Sequence, residues 1–404
     1  MKLILPKNIA DIITSINNSG FEAHIVGGCV RDMLINKTPT DWDITTNASP
    51  NTIKSMFPKT IDTGIKHGTV TVLYNGISVE VTTWRKETSY SDHRRPDRIC
   101  LTDSLTEDLA RRDFTMNAIA YHPKEGLVDP FGGVTDISNR IIRCVGNPFE
   151  RFSEDALRML RAIRFSAQLD FNIDKCTFSS INQLSGDLIH ISKERIQSEI
   201  NKILESKFPQ KISLLWDSGL SKIIFPGVEK LPSNWFETIK HFIGSENQKI
   251  INLSLIFYIS CKEDELSCAK QYLTLNKYDG KTRRGVVNHI KCLNGIGPLT
   301  PRNIRKSVSE YGVSVTANTM KILNILQSIN KNKTLYAYGE VKTAPIIPAI
   351  SGSDLIELGF EGRAIKDMLN IILLCLYENP SLNNKELLIL LVKSIMASIR
   401  FFCK

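Results

Sequence analysis

The sequence predicts an α+β chain in which a mixed α/β head over residues 1–146 is followed by domains built from helices. Two observations support this division. The segments GTVTVLY and ISVEVTTW are rich in β-branched residues, and Asn75-Gly76 between them is the strongest short signal for a β-hairpin turn. From Asn147 onward, apolar residues recur at helical spacing, as in SEDALRMLRAIRFSAQL and ISKERIQSEINKIL. We therefore expect the sheet early in the chain and helices in the rest.

Further signals place individual elements of the head. Ser49-Pro50 puts a proline at a first helical position and predicts a helix start. DPFGG at 129–133 predicts a turn and a hinge, and Ser153 is predicted to cap the helix that follows it. We also predict strands at HIV (24–26), DWDITT (41–46) and NAIAYH (117–122), and a loop over the polar residues 85–104.

The composition excludes several classes of protein. With 42% hydrophobic and 23% charged residues, the 404-residue chain is not a disordered tail, a collagen-like fibre or a disulfide miniprotein. Its apolar runs are shorter than the ~20 residues of a membrane span, and the segment MKLILPKNIADII lacks the unbroken apolar core of a signal peptide. Nine scattered cysteines without a CxxC pair fit a reducing cytoplasm and argue against a zinc site. We expect no membrane partner.

The net charge of +9 is concentrated in one part of the chain. Residues 270–342 contain thirteen Lys and Arg but three Asp and Glu, so the remainder is close to neutral. A basic segment attached to a neutral body indicates a polyanionic partner such as nucleic acid. A solvated basic face without a partner fits the composition equally well.

Two carboxylates are predicted to lie side by side. Asp41 and Asp43 flank Trp42 on a predicted strand, and residues two apart on a strand point to the same face. At ~4 Å and an effective dielectric of ~20 they repel by ~4 kcal/mol. Mg²⁺, which prefers carboxylates and substrate phosphates, would relieve this repulsion. Glu80 on the ISVEV strand is expected to supply a third ligand or to hold the other two; the alternative is a solvated surface pair.

A glycine turn precedes these carboxylates. Gly27-Gly28 follows a predicted strand, and such a turn lets the backbone approach a phosphate closely. The helix that begins there would direct its N–H groups at the anion, with Arg31 in its first turn. The order and spacing of these signals together indicate nucleotide chemistry on Mg²⁺.

Three motifs of the sequence resemble those of a known family. GGCVRD…DWD, RRDFTMNAIAY at 111–121 and SEDALRMLRAIRF at 153–165 resemble the bacterial class II tRNA nucleotidyltransferases, or CCA-adding enzymes, and their bacterial poly(A) polymerase relatives. The resemblance covers roughly residues 20–200. It implies a polymerase-β-like nucleotidyltransferase head over 1–146, a helical neck over 147–205, a helical body over 206–270 and a helical tail over 271–404.

The resemblance also implies an activity. Such enzymes add the 3′-terminal CCA to tRNA that lacks all or part of it, using CTP and ATP without a template. Asp41 and Asp43, with Glu80, would be catalytic, and the two aspartates would hold two Mg²⁺. Gly28 and Arg31 would bind the nucleotide, Arg112 would contact it, and Asp113 would accept a hydrogen bond from its ribose 2′-hydroxyl. A surface ion pair between Arg112 and Asp113 is the plainer alternative.

Base selection is assigned to one predicted helix. Asp155 and Arg158 stand at i and i+3, so their side chains would be neighbours. The carboxylate only accepts hydrogen bonds and the guanidinium only donates them. Cytosine and adenine each offer an amine donor beside a ring acceptor, whereas uracil and guanine offer the reverse, so the pair would admit C and A. Arg161 and Arg164 continue this row and would contact base or phosphate; Glu154 would cap the helix or orient an arginine. Ordinary solvated surface pairs are the alternative.

Several alternatives remain open within and outside the family. Residues 85–109 resemble the flexible loop of CC- and CCA-adding members, in which Glu87, Asp92, Arg94 and Arg95 are hypothesised to swing between C and A addition. A CC-adding enzyme, a poly(A) polymerase, a non-catalytic RNA-binding protein and a nucleotidyltransferase acting on small molecules are the competing functions. The oligomeric state is open, a homodimer included. The tail residues expected to grip tRNA phosphates are Lys281, Arg283, Arg284, Arg302, Arg305 and Lys306.

Overall fold

A computed structural model describes residues 3–88, 98–261, 264–329 and 344–402. The chain divides into two compact units, Met1–Pro226 and Gly227–Lys404. The finer division of the helical part into neck, body and tail stays a prediction.

All named strands of the described residues lie in the first unit. Seven of them form one mixed sheet in the order β3-β4-β5-β2-β1-β8-β9, in which β2 and β5 run parallel and the other neighbours antiparallel. This arrangement confirms the predicted α+β class. The strands are β1 Ala23–Val26, β2 Asp43–Thr46, β3 Thr60–Gly64, β4 Thr69–Tyr74, β5 Ile77–Thr83, β6 Arg85–Thr88, β7 Arg98–Leu101, β8 Ala120–His122, β9 Gly126–Val128, β10 Ile141–Ile142 and β11 Asn172–Ile173.

Helices make up most of the remainder of the first unit and the named elements of the second unit. Those of the first unit are α1 Lys7–Asn18, α2 Gly28–Leu34, α3 Pro50–Met56, α4 Leu105–Ala110, α5 Gly133–Ser138, α6 Pro148–Glu154, α7 Leu157–Leu169, α8 Lys175–Leu184, α9 Lys193–Leu204, α10 Leu214–Asp217 and α11 Ser221–Ile224. Those of the second are α12 Ser233–Ile239, α13 Gln248–Ser260, α14 Glu265–Leu275, α15 Gly280–Gly295, α16 Pro301–Tyr311, α17 Val313–Ile329, α18 Gly352–Glu357, α19 Arg363–Glu378 and α20 Lys385–Phe402. Across the described residues, none of these helices has the length and apolar character needed to cross a bilayer.

The local signals of the head fold as expected. Asn75 and Gly76 both adopt positive φ, +45° and +83°, which a two-residue hairpin turn requires, and they join β4 to β5. At the start of α3, the Ser49 hydroxyl accepts a hydrogen bond from the Thr52 amide at 3.2 Å, and Pro50 occupies the first turn. The predicted hairpin and helix start are therefore confirmed.

Two predictions about the head are wrong. The strand predicted over 41–46 begins at Asp43, and Asp41 lies in the bend before it, although the Glu80 amide still donates to the Trp42 carbonyl at 3.1 Å. The segment predicted as a loop contains β6 and β7, which pair antiparallel. The sequence of β6, RKET, is polar throughout, so it lacks the alternation of apolar and polar residues that marks a strand. Of the proposed swinging residues, Glu87 lies on β6, whereas Asp92, Arg94 and Arg95 lie outside the described residues.

The prediction that a helix starts at Ser153 is also wrong. Asn147 caps α6, Ser153 lies in its last turn, and Asp155 is extended with φ −141° and ψ 101° before α7 begins. The Asp155 carboxylate accepts a hydrogen bond from the Leu157 amide at 3.1 Å. A side-chain acceptor at a helix start competes with continuation of the preceding helix, so the chain breaks at Asp155.

Helix α7 is the structural centre of the candidate site. Eleven of its thirteen residues are buried, including Arg158 and Arg164. Its Phe165 ring meets the Phe114 ring edge-on at a centroid distance of 5.8 Å. Since Phe114 follows the RRD motif and Phe165 lies within α7, this contact fixes two predicted functional segments against each other.

Candidate active site

A single cleft in the first unit brings together the residues predicted to bind nucleotide. Its volume is about 1180 Å³, and ten Lys and Arg and six Asp and Glu line it. The second predicted set, in the basic tail, belongs to the other unit. The predicted residues in the cleft are Gly28, Arg31, Asp41, Asp43, Arg112, Asp113, Asp155, Arg158, Arg161 and Arg164.

The acidic end of the cleft is formed at the start of β2. Asp43 pairs in register with Glu80 of the parallel strand β5, and Asp41 lies two residues before it. Burial, together with the negative charges of Glu80 and Asp41, raises the pKa of Asp43 to about 6, although Arg112 partly offsets the shift. The carboxylate is therefore held where ionisation is unfavourable.

The buried Asp43 carboxylate, beside two other acidic residues, would be stabilised by a divalent cation. Carboxylate oxygens are hard donors, and a cation beside them would remove the repulsion that raises the pKa of Asp43. Among the residues that the structure describes, no group of three or more His, Cys, Asp and Glu is arranged to hold a metal. Asp41 and Asp43 line the cleft and could hold a cation there together with substrate oxygens, whereas Glu80 is not among the lining residues and acts on Asp43 through its charge.

The glycine turn lies directly against this acidic end. Gly27 has φ +80° and ψ −132°, a conformation that residues with a side chain rarely adopt. A Cβ atom there would stand 2.9 Å from Arg112 Nη1 and 3.8 Å from Asp43 Oδ2. The backbone therefore approaches the carboxylate and the guanidinium because no side chain intervenes.

Arginines of the head are held by carboxylates that sequence reasoning missed. Asp108 is fully buried and accepts hydrogen bonds from Arg111 Nη2 at 2.8 Å and from the Thr45 hydroxyl at 3.0 Å. Burial alone would raise the pKa of Asp108, but Arg111 and Arg112 hold it below its ordinary value. Arg31 donates to Asn117 Oδ1 at 2.7 Å and to Asp32 Oδ1 at 2.7 Å.

Asp113 serves in this structure as an anchor for Arg161. Its Oδ2 accepts from Arg161 Nη2 at 2.6 Å and from Nε at 2.8 Å, and its Oδ1 accepts from the Phe114 amide and from Asn117. Although burial opposes it, Arg161 and Asn117 hold the pKa of Asp113 well below its usual range. Four protein donors thus occupy the acceptor positions that the predicted ribose contact would use; that contact stays a prediction.

The residues predicted to read the base have different partners from those expected. Asp155 and Arg158 were expected on one helix, but the break at Asp155 separates them. Arg158 donates to Glu154 Oε2 at 2.7 Å, while Asp155 pairs with Arg195 of α9 at 2.9 Å. Of the two roles predicted for Glu154, the structure favours the orientation of arginines. Glu154 lies at the end of α6 and does not cap a helix start.

Helix α9 packs against α7 and supports this part of the cleft with charged side chains. Besides Arg195, it contributes Glu199, which is 4% exposed and pairs with Arg164 Nε at 2.6 Å. Arg195 and Glu199 are four residues apart and so share a helix face. The ISKERIQSEINKIL periodicity predicted this helix, but its polar partners require the tertiary structure.

Three arginines of the cleft lie close to one aromatic ring, that of Phe165. The guanidinium carbons of Arg31, Arg161 and Arg164 lie 5.1, 5.5 and 4.0 Å from the centroid of the Phe165 ring. The negative face of an aromatic ring attracts such cations. Phe165, which sequence reasoning did not single out, therefore helps to hold three like charges near one another.

The predicted tail residues are mostly exposed in the second unit. Lys281, Arg283 and Arg284 lie in the first turns of α15. Arg305 has a structural partner, since it donates to the carbonyls of Tyr377 at 2.7 Å and Glu378 at 3.0 Å, at the end of α19. The salt-bridge partners are Glu378 for Arg302 and Glu310 for Lys306. Their contact with RNA stays a prediction.

Comparison with known proteins places this site in a family. The Poly A polymerase head domain matches residues 23–143, and the probable RNA and SrmB-binding site of polymerase A matches residues 170–231. A CCA-adding enzyme of Geobacillus sp. is 37% identical over 388 residues, which span 93% of this chain and 93% of that enzyme. The chain belongs to the CCA-adding enzyme family. The resemblance predicted from the three motifs is thereby confirmed.

Other CCA-adding enzymes agree with this assignment. One from Enterococcus faecalis is 51% identical over 198 residues, 49% of each chain. The crystal structure of the Bacillus stearothermophilus CCA-adding enzyme in complex with CTP has a TM-score of 0.72 at 28% identity, and covers 98% of this chain and 100% of that one. The predicted polymerase-β-like head with a helical remainder is therefore confirmed. Members of this nucleotidyltransferase family generally use a divalent metal.

Substitution of Gly27 in this CCA-adding family member should slow nucleotide transfer. In Gly27→Ala, the Cβ atom must displace Arg112, and the positive φ adds about 1–3 kcal/mol of strain. We expect kcat/KM for CTP to fall by about 10- to 100-fold, on the scale of 1.4 kcal/mol per tenfold. Gly20→Ala is the matched control, because Gly20 has φ +88° but open space around it. Equal activity losses in both variants would contradict the argument.

The role of Phe165 is tested by changing its ring and keeping its apolar bulk. Phe165→Leu removes attraction worth about 0.5–2 kcal/mol for each cation, so kcat/KM for CTP and ATP should fall by about tenfold or more. Phe165→Tyr keeps the ring and should stay within about threefold of the parent on the same scale. Phe171→Leu, which affects one arginine contact at 6.0 Å outside the cleft, is the control. A leucine variant as active as the tyrosine variant would refute the cation–π role.

Proposed function

We propose that this chain adds CCA to the 3′ end of tRNA lacking it, using CTP and ATP, with release of pyrophosphate and without a template. The observation that carries the proposal is that one cleft contains both the Asp41–Asp43 pair and the Asp155 and Arg158 side chains. Charge for phosphoryl transfer and hydrogen-bonding groups for base choice therefore belong to one cleft, which supports their binding the same nucleotide. Membership of the CCA-adding family supports the same function.

In the proposed reaction, the primer 3′-oxygen attacks the α-phosphorus of the nucleotide. The new O3′–P bond forms as the bond to the pyrophosphate oxygen breaks, and the hydroxyl proton passes to solvent. Mg²⁺, when bound by Asp41 and Asp43, would lower the pKa of the hydroxyl and offset phosphate charge. Arg112, fixed by Asp108 at 3.5 Å beside Gly27, supplies positive charge next to these carboxylates. The chain contributes position and charge, and no covalent intermediate is needed.

Base choice is proposed to depend on Asp155 and Arg158 despite their separation by the helix break. Each Asp155 oxygen accepts one protein hydrogen bond, from the Leu157 amide and from Arg195, and so retains capacity for another donor. Arg158 is held by Glu154 and by the Arg151 and Arg111 carbonyls. A fixed acceptor and a fixed donor complement cytosine and adenine. Each mismatched buried contact costs about 1–3 kcal/mol, so uracil and guanine would be rejected.

The partners in this proposal are tRNA, CTP and ATP, and the metal is Mg²⁺. The exposed basic residues of α15 suit an RNA backbone, which is recognised by shape and charge. A cytoplasmic location is part of the same proposal. The eight cysteines in the described part of the chain form no disulfide bond, a state that fits a reducing compartment.

The direct test supplies tRNA transcripts that end at the position before CCA, with Mg²⁺ and labelled nucleotides. We expect two C residues and one A to be added from CTP and ATP, and nothing comparable from UTP or GTP. Addition of C alone would identify a CC-adding enzyme, and long A tracts on unrelated RNA a poly(A) polymerase. Binding of tRNA without any transfer would identify a non-catalytic RNA-binding protein. Efficient transfer to a small molecule that salt does not weaken would favour a small-molecule nucleotidyltransferase.

A further inference from the structure

The side chain of Asn117 joins two charged groups of the cleft. Its Oδ1 accepts a hydrogen bond from Arg31 Nη1 at 2.7 Å, and its Nδ2 donates to Asp113 Oδ1 at 3.0 Å. A guanidinium only donates and an ionised carboxylate only accepts, so these two partners fix the orientation of the amide. Asn117 is 6% exposed although it lines the cleft, so its hydrogen bonds are shielded from bulk water.

The backbone that carries Asn117 is also fixed. It lies in the single 3₁₀ turn Thr115–Asn117, where the Thr115 hydroxyl donates to Asp136 Oδ2 at 2.6 Å. Two residues further on, the Ile119 carbonyl accepts a hydrogen bond from the Gly27 amide at 3.2 Å. A Cβ atom on Gly27 would stand 3.8 Å from the Asn117 carbonyl oxygen. The amide side chain therefore has a fixed position against the glycine turn that precedes α2.

Arg31 has hydrogen-bonding capacity left for an anion. Of its five N–H groups, Nε and one on Nη2 donate to Asp32 Oδ1, at 2.9 and 2.7 Å, and one on Nη1 donates to Asn117. Within the described part of the chain, the second N–H of each Nη atom has no protein acceptor. Nη2 lies 3.7 Å from the position of a Cβ atom on Gly28, so this side of the guanidinium faces the glycine turn.

The Asn117 hydrogen bond determines where these N–H groups point. Without it, Asp32 would hold the guanidinium through a single oxygen, and one anchoring atom does not fix the plane of a guanidinium. Arg161 would add to the displacement, because its like charge lies 5.5 Å from the Phe165 ring and that of Arg31 lies 5.1 Å from the same ring. The amide thus opposes both rotation and repulsion.

We infer that Asn117 is a positioning residue for the nucleotide, whose amide directs the two remaining N–H groups of Arg31 at the triphosphate. The inference rests on the proposed function, which places the triphosphate at Asp41 and Asp43. A phosphate contact made equally with the bound nucleotide and the transition state changes affinity and leaves kcat nearly unaltered. Loss of the amide should therefore weaken binding of CTP.

The test measures binding of CTP to the full chain by titration calorimetry with Mg²⁺ and without RNA. For Asn117→Ala we expect Kd to rise by about 10-fold or more, the effect of losing one hydrogen bond to a charged group. Asn276→Ala is the matched control, because Asn276 is also 6% exposed, donates to the Tyr272 carbonyl at 2.9 Å and does not line the cleft. Its Kd should equal that of the parent.

The same titrations separate positioning from a structural role. A variant that is partly unfolded would bind CTP with the parental Kd at fewer sites per chain, whereas a misdirected Arg31 raises Kd at an unchanged number of sites. In an Arg31→Ala background, the further change Asn117→Ala should alter Kd by less than about threefold, because the amide then has no guanidinium to orient.

Three results would overturn the inference. They are a parental Kd in Asn117→Ala, fewer sites at the parental Kd, and effects of the Asn117 and Arg31 changes that simply add. Because calorimetry needs no turnover, a parent chain that binds CTP but does not add it to tRNA would contradict the proposed function, and the comparison of Kd values would still decide the role of Asn117.

Discussion

Replacing Asp43 by asparagine should abolish nucleotide transfer while leaving the fold at least as stable. The isosteric amide cannot supply the charge that a metal ligand needs, so kcat should fall by at least about 10³-fold, the equivalent of several kcal/mol. The carboxylate is buried beside Glu80 and Asp41, and its pKa is raised to about 6. Because the folded state favours the protonated form, stability falls as the pH rises from the ordinary aspartate pKa of 3.8 to about 6, the full cost is present at higher pH, and the neutral amide avoids it.

The sign of the stability change distinguishes this account from a structural role. At pH 7.5 the asparagine variant should unfold at the same or a higher temperature, with a gain of up to about 1–3 kcal/mol. Asp62→Asn is the control, because Asp62 belongs to the same sheet but forms an exposed pair with Lys54 at 2.9 Å. It should retain activity. An Asp43→Asn variant with parental kcat would refute the metal assignment, and one that is inactive because it unfolds would refute the electrostatic argument.

Removal of both base-reading groups should relax nucleotide choice. In Asp155→Ala/Arg158→Ala, the fixed acceptor and donor disappear, so CTP and ATP lose hydrogen bonds while UTP and GTP lose a mismatch. Two mismatches of about 1–3 kcal/mol correspond to about 30-fold to over 10⁴-fold discrimination, and most of this should vanish. The measurement is kcat/KM for each of the four nucleotides on tRNA lacking CCA.

An aspartate and an arginine elsewhere in the same unit provide the control. Arg140 and Asp170 form an exposed salt bridge at 3.2 Å that does not line the cleft, and their double alanine variant makes the same change in charge. That variant should discriminate as the parent does. The loss of the Asp155 hydrogen bond to the Leu157 amide should cost about 1 kcal/mol of stability, so unfolding is measured in parallel. Discrimination that survives in the Asp155/Arg158 variant would contradict the assignment.

The sequence predicted those features that depend on neighbouring residues. The Asn75-Gly76 hairpin sets the register of β4 on β5, and Asp43 then pairs with Glu80 because β2 lies beside β5. The Ser49 cap is likewise local, since its partner is three residues away. The order and spacing of the motifs were also sufficient to identify residues that come together in space. All the residues predicted to bind the nucleotide line one cleft.

Features that depend on distant partners could not be predicted. The break at Asp155 follows from a hydrogen bond to Leu157 and a salt bridge to Arg195, forty residues away, so helical periodicity alone continues through it. Asp108 and Glu199 look like ordinary surface residues of amphipathic helices, yet both are buried because arginines of other segments reach them. Burial of a carboxylate depends on which cation the tertiary fold supplies, and no local pattern carries that information.

The central claim is that one nucleotide spans the acidic end of the cleft and the residues at the start of α7. A crystal structure of this chain with CTP tests it most directly. The account predicts the triphosphate beside Asp41 and Asp43, with the cytosine amine near Asp155 and the cytosine acceptors near Arg158. Cytosine bound away from Asp155 and Arg158, with the triphosphate remote from Asp43, would contradict it.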